Sequence, residues 1–66
     1  MLLDDAFALF QRLGVDARSI SRKEFTAAYF VLAKRYHPDR GNQNTHELMA
    51  NINAARTIIL KCNRIG

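Results

Sequence analysis

The stretch Tyr36-His37-Pro38-Asp39-Arg40 lies near the middle of the 66-residue chain, where a helical pattern gives way to polar turn formers. Pro38 lacks a backbone N–H and disfavours the right-handed helical conformation at the residue before it, so a helix that reaches Tyr36 must end there. A histidine, a carboxylate and an arginine therefore follow one another on a stiffened corner. The flanking sequence has to show whether that corner carries a function or is only a turn.

Upstream of the corner, the sequence predicts an amphipathic helix, helix two, over residues 22–36. Ser21 and Glu24 are spaced as a capping box, and Ile20 with Phe25 can form the hydrophobic staple around it. The predicted buried stripe follows helical spacing and comprises Phe25, Ala28, Tyr29, Leu32 and Tyr36.

Two apolar residues of helix two fall outside this stripe. At 100° per residue Phe30 and Val31 project away from Phe25, among Lys23, Ala27 and Lys34. We call these five residues the outer face of helix two. Its two apolar side chains are either scattered surface residues or part of a docking patch.

Downstream of the corner, turn formers predict a loop over residues 37–44, followed by helix three over residues 45–62. Asn44 with Glu47 can cap this helix. Its inward stripe is predicted to comprise Leu48, Ile52, Ala55, Ile59 and Cys62, with Met49 and Ile58 flanking it.

The first part of the chain predicts a shorter helix, helix one, over residues 3–13. Its apolar residues recur at three- and four-residue steps: Leu3, Ala6, Phe7, Phe10 and Leu13. Gly14 is well placed to close it, and Val15 is predicted to pack back onto the core. Residues 1–66 therefore predict a single all-α domain of three helices.

The cysteine content and the apolar runs of the chain limit how the domain can be stabilised and in which compartment it is expected. Cys62 is the only cysteine, so neither an internal disulfide nor a thiolate zinc cage can form, which fits the cytoplasm or another reducing compartment. The chain shows no secretory signal and no apolar run near the ~20 residues that cross a bilayer. We expect no membrane contact from these residues, which leave open an anchor elsewhere in a longer protein.

The net charge of +4 is unevenly distributed along the chain. Residues 1–17 carry −2, residues 18–40 carry +4 and the remainder carries +2. The basic middle part favours an anionic partner, either nucleic acid or an acidic protein surface, or it is simply a solvated helix face.

The few reactive side chains give little support to catalysis or metal binding. His37, Asp39 and His46 are spread across a loop, with no rigid element to set ligand geometry. Cys62 lies on the inward stripe, where a thiol is more often a small hydrophobe than a nucleophile. No phosphate-binding glycine loop is present. We therefore expect no enzymatic activity, no metal, no cofactor and no small-molecule substrate.

A DNA-binding module is an alternative, because small basic three-helix domains often read DNA. Against it, helix three presents Asn51, Asn53, Ala54 and Thr57, with only Arg56 and Lys61 charged. The loop of about eight residues is also longer than a helix-turn-helix turn.

The run of residues 36–40, preceded by Ala28-Tyr29 and Leu32-Ala33, resembles the J-domain, the module that defines the DnaJ co-chaperone family. Further matches in register are Leu13-Gly14-Val15 in helix one, and Ile52-Asn53 with Ala55 in helix three. The resemblance covers about residues 3–60. A lone His-Pro-Asp tripeptide is weak evidence for the family, but at the end of this helix, with the flanking matches in register, it is a specific signal.

The resemblance implies an antiparallel hairpin of helices two and three, with the shorter helix one packed across it. It also implies a partner, a DnaK-type ATPase chaperone. Such domains dock near the interface of the partner's nucleotide-binding domain and interdomain linker, and docking stimulates ATP hydrolysis by the partner.

Carried over by position, the resemblance implies partner-binding roles for eight residues. His37, Pro38 and Asp39 are the signature, and Tyr29, Phe30, Lys34, Arg35 and Arg40 lie on or beside the docking face. Many relatives carry basic residues where this chain has Thr26, Ala27, Phe30 and Val31, and Arg56 stands in place of a frequent aromatic residue. A degenerate J-like scaffold without ATPase stimulation is therefore a third interpretation.

Overall fold

The computed structural model describes residues 1–36 and 43–62, which form three α-helices and no strand. The helices are α1 (Leu3–Arg12), α2 (Arg22–Arg35) and α3 (Gln43–Cys62). The predicted fold class is confirmed: α2 and α3 form the antiparallel hairpin, and the shorter α1 packs across it.

Helix α1 buries a wider arc than its predicted stripe. Ala6, Phe7 and Phe10 are buried as expected, and Leu9 is buried as well. At 100° per residue Leu9 projects about 60° round the helix from Ala6. Burial of Leu9 therefore extends the buried face of α1 beyond the predicted stripe.

Helix α2 begins and ends at local signals that the sequence contains. The Ser21 hydroxyl accepts the Glu24 N–H at 3.1 Å, and the Glu24 carboxylate accepts the Ser21 N–H at 3.1 Å. The predicted capping box is therefore confirmed. At the other end Tyr36 caps the helix, and its N–H donates to the Leu32 carbonyl at 3.0 Å.

Helix α3 begins earlier than the sequence indicated. Its first residue is Gln43, two residues before the predicted start. The predicted cap by Asn44 with Glu47 stays a prediction, because the side chain of Asn44 lies outside the described part of the structure. Residues 37–42 of the predicted loop lie outside the described residues, as do the last residues, 63–66.

The core draws on all three helices and on the segment between α1 and α2. Phe10 and Phe25 meet edge to face, with ring centroids 4.9 Å apart, and thereby join α1 to α2. Helix α1 makes its closest backbone approach to α3. Ala6 and Ala55 are fully buried on these two helices, and such small side chains allow helix axes to lie close together.

Candidate functional site

The outer face of α2 is exposed along its whole length. Phe30 and Val31 are 58% and 57% exposed, which confirms the prediction that they project outward. Lys23, Ala27 and Lys34 are exposed as well. The result is a strip with an apolar centre and one cation towards each end.

Tyr29 lies at the edge of this strip, where α2 meets α3. Its hydroxyl donates a hydrogen bond to the Asn53 Oδ1 atom at 2.6 Å, and its side chain is half-buried. Its ring centroid lies 5.7 Å from that of Phe30. Tyr29 therefore connects the outer face of α2 to α3 as well as bordering it.

Arg56 of α3 completes this edge, a position that the sequence did not reveal. Its Cζ atom lies 4.8 Å from the centroid of the Tyr29 ring, a distance typical of a cation–π contact. The side chain is half-buried and not on the open face of α3. A usable signal was present, because Arg56 follows Ile52 by four residues and Met49 by seven, the spacing of the buried stripe.

The last turn of α2 carries two exposed cations, Lys34 and Arg35. Positive side chains at this end interact favourably with the helix dipole. The helix ends at Arg35 and Tyr36 caps it, so the chain leaves α2 immediately before the His-Pro-Asp tripeptide. His37, Pro38, Asp39 and Arg40 themselves lie outside the described residues.

Not all of the basic middle part belongs to this surface. The Arg18 guanidinium pairs with the Asp4 carboxylate at 2.9 Å and lies 4.5 Å from the centroid of the Phe7 ring. Both contacts are to α1. The cations of the middle part that lie on α2 are Arg22, Lys23, Lys34 and Arg35.

The described residues contain no group of three or more histidine, cysteine, aspartate or glutamate side chains that could hold a metal ion. His46 is exposed on α3, and His37 and Asp39, which were weighed with it as metal ligands, fall outside the described residues. Among the described helices, none is both long enough and apolar enough to cross a membrane.

Comparison with protein families places this geometry in context. The model of the DnaJ domain matches residues 8–64, which include α2, the His-Pro-Asp tripeptide and α3. The chain belongs to the DnaJ domain family. No significant match was found among curated proteins or among solved structures.

Membership of this family identifies the chain as a J-domain. J-domains are co-chaperone modules, not catalysts in their own right, and they generally partner with DnaK-type chaperones. In this J-domain, the outer face of α2 and the edge formed by Tyr29 and Arg56 lie on the helices that flank the tripeptide.

Proposed function

We propose that this J-domain docks on a DnaK-type ATPase chaperone and stimulates its ATP hydrolysis. The observation that carries the proposal is the position of the tripeptide. His37-Pro38-Asp39 directly follows the capping residue of α2, inside a family match that continues on both sides of it. In the sequence, the tripeptide therefore follows directly on a helix whose outer face is exposed.

Each residue of the tripeptide has a physical role in this proposal. Asp39 makes a charge-assisted contact with a cationic side chain that holds the partner in its resting state. His37 hydrogen-bonds neighbouring groups and keeps the shape of the loop. Pro38 restricts the backbone and so reduces the conformational entropy that is lost on docking.

Helix α2 supplies the rest of the proposed docking surface. Lys34 and Arg35 are exposed beside the tripeptide, and with Arg40 they attract an acidic partner surface and speed the encounter. Phe30, with Tyr29 at its edge, offers an apolar contact at the centre of the helix. The chain thus combines electrostatic steering next to the loop with apolar docking further along α2.

The direct test is single-turnover ATP hydrolysis by a DnaK-type protein of the same cell, with and without the J-domain. We expect the wild-type domain to accelerate hydrolysis. Asp39→Asn keeps the shape of the side chain but removes its charge, so we expect stimulation to fall at least about tenfold, the equivalent of ~1.4 kcal/mol.

The matched control is Asp16→Asn, which removes an exposed carboxylate between α1 and α2. This variant should stimulate like the wild type. If the wild type accelerates none of the DnaK-type ATPases of its cell, the proposed function is wrong.

One observation favours a second candidate, a J-like scaffold that binds without stimulating. Between Lys23 and Lys34, the outer face of α2 carries only Ala27, Phe30 and Val31, none of them charged. A scaffold would bind the chaperone in a pull-down or a titration and leave its hydrolysis rate unchanged, so the two measurements separate the candidates.

The DNA-binding alternative gains no support from the described part of α3. Asn51, Asn53, Ala54 and Thr57 are exposed, but Arg56 is held against Tyr29. The helix therefore offers few free cations to a phosphate backbone. DNA binding that weakens steeply with salt would contradict this interpretation.

A further inference from the structure

We propose that Arg56 is a binding residue for a carboxylate of the partner, so that the docking surface continues from α2 onto α3. This inference rests on the proposed function. It starts from an arginine that the fold holds in place without giving it an acidic partner. Arg18 and Asp4 form an ion pair, whereas Arg56 forms no ion pair with any of the described residues.

The guanidinium contacts an aromatic ring that is itself held in place. Its face lies over the Tyr29 ring at 4.8 Å, and Tyr29 is itself held by its hydrogen bond to Asn53. The ordering of a flexible arginine side chain, which normally costs entropy when a complex forms, has therefore already taken place in the free domain.

Hydrogen bonding of the guanidinium is incomplete. Its Nε atom is buried and has no hydrogen-bond partner among the described residues. Burial of Nε without an acceptor partly desolvates the cation at a cost, and a negative charge that pairs with the terminal nitrogens offsets part of that cost. Because Nε is buried, only the two terminal guanidinium nitrogens, Nη1 and Nη2, are available to an incoming carboxylate.

The surroundings favour a protein partner with mixed chemistry. Arg56 stacks on Tyr29, and Tyr29 borders the exposed ring of Phe30. The fitting partner surface is therefore an apolar patch with an aspartate or glutamate beside it. Desolvation of the contact by the apolar patch strengthens the charge pair.

The experiment is a titration of the DnaK-type ATPase with this J-domain, which yields a maximal stimulated rate and a half-saturating concentration. For Arg56→Gln we expect the half-saturating concentration to rise about tenfold with the maximal rate unchanged, as for the loss of one charge-assisted contact. Arg56→Lys keeps the positive charge but lacks the paired terminal nitrogens of a guanidinium. Its half-saturating concentration should therefore lie between those of the wild type and Arg56→Gln.

Salt dependence distinguishes binding from a purely structural role. Higher ionic strength should weaken docking of the wild type more than docking of Arg56→Gln, because the variant lacks the screened charge pair. Arg12→Gln is the matched control, since it removes the same charge from an exposed position at the end of α1. It should leave the half-saturating concentration unchanged.

The possible outcomes separate this inference from the proposed function. If the wild type stimulates, Asp39→Asn does not, and Arg56→Gln titrates like the wild type, the inference is wrong and the proposed function stands. A lower melting temperature of Arg56→Gln together with a lower maximal rate and unchanged salt dependence would assign Arg56 a structural role, and would also overturn it. Absence of stimulation by the wild type would overturn both.

Discussion

Gly14 shows how a single residue sets the path of this chain. Its φ angle of +89° lies in the region that favours glycine. The Gly14 N–H donates to the Gln11 carbonyl at 3.0 Å, and the Val15 N–H donates to the Phe10 carbonyl at 2.9 Å. These are the two bonds of a Schellman motif, which satisfies the last carbonyls of α1 and turns Val15 back onto the core.

Gly14→Ala should therefore destabilise the domain even though space is available. A Cβ atom at this position would meet nothing within 4 Å, so the cost comes from the backbone conformation alone. We expect a loss of about 1–2 kcal/mol in the free energy of unfolding, measured by urea denaturation.

The control for this prediction is Gly14→Asn. Asparagine tolerates positive φ better than alanine, so this variant should lose less stability. Equal losses for the two variants would contradict the backbone explanation and point to the side chain instead.

At the level of helices, α2 presents its outer face because its beginning is set locally. The capping box determines where the helix starts, and the 3.6-residue repeat then places Phe25 and Leu32 in the core. Phe30 and Val31 project to solvent as a direct consequence. An exposed apolar pair of this kind adds nothing to the core and is available for a partner.

Replacing both residues, Phe30→Lys with Val31→Lys, tests whether this pair takes part in docking. Because both side chains are exposed, the free energy of unfolding should change by no more than ~0.5 kcal/mol per substitution. The half-saturating concentration for ATPase stimulation should rise about tenfold, through loss of apolar contact area.

Leu2→Lys is the matched control, because Leu2 is an apolar side chain that is 73% exposed at the start of α1. It should stimulate like the wild type. Unchanged or improved stimulation by the double variant would show that Phe30 and Val31 are only tolerated surface residues.

At the level of the whole molecule, a 66-residue chain depends on a few large side chains. Phe10, Phe25, Ile52 and Ile59 are the largest fully buried side chains, and they come from all three helices. A core of this size gives only a few kcal/mol of net stability. The proposed docking surface therefore depends on these few core contacts for its own stability.

Phe25→Ala should consequently unfold much of the population. The loss of a buried phenylalanine costs about 3–5 kcal/mol, comparable with the whole stability of so small a domain. Circular dichroism should show a large fall in helix content at 25 °C, and ATPase stimulation should fall in proportion to the folded fraction.

Phe30→Ala is the control on the same helix, since it removes an identical side chain from an exposed position. Its melting curve should stay close to that of the wild type. Similar destabilisation by the two variants would contradict the assignment of Phe25 to the core and Phe30 to the surface.

Most of the fold was readable from the sequence because helices obey local rules. The helix starts and stops at Ser21 and Gly14, and the outward position of Phe30, depend on neighbours within about four residues. The same rules led to the prediction that α2 ends just before the His-Pro-Asp tripeptide. The family and its co-chaperone class followed from that tripeptide in register with its flanks, and the family match confirms them.

Contacts between distant residues could not be predicted from the sequence and were determined by the tertiary structure. Helical periodicity specifies the direction in which a side chain projects, but not the neighbour that it meets there. Burial of Leu9, the close approach of α1 to α3 and the pairing of Arg18 with Asp4 belong to this class. So does the position of Arg56 over Tyr29, 27 residues away in the chain. Such pairs are set by how three helices share one core, and they convert an arginine of α3 into part of the proposed docking surface.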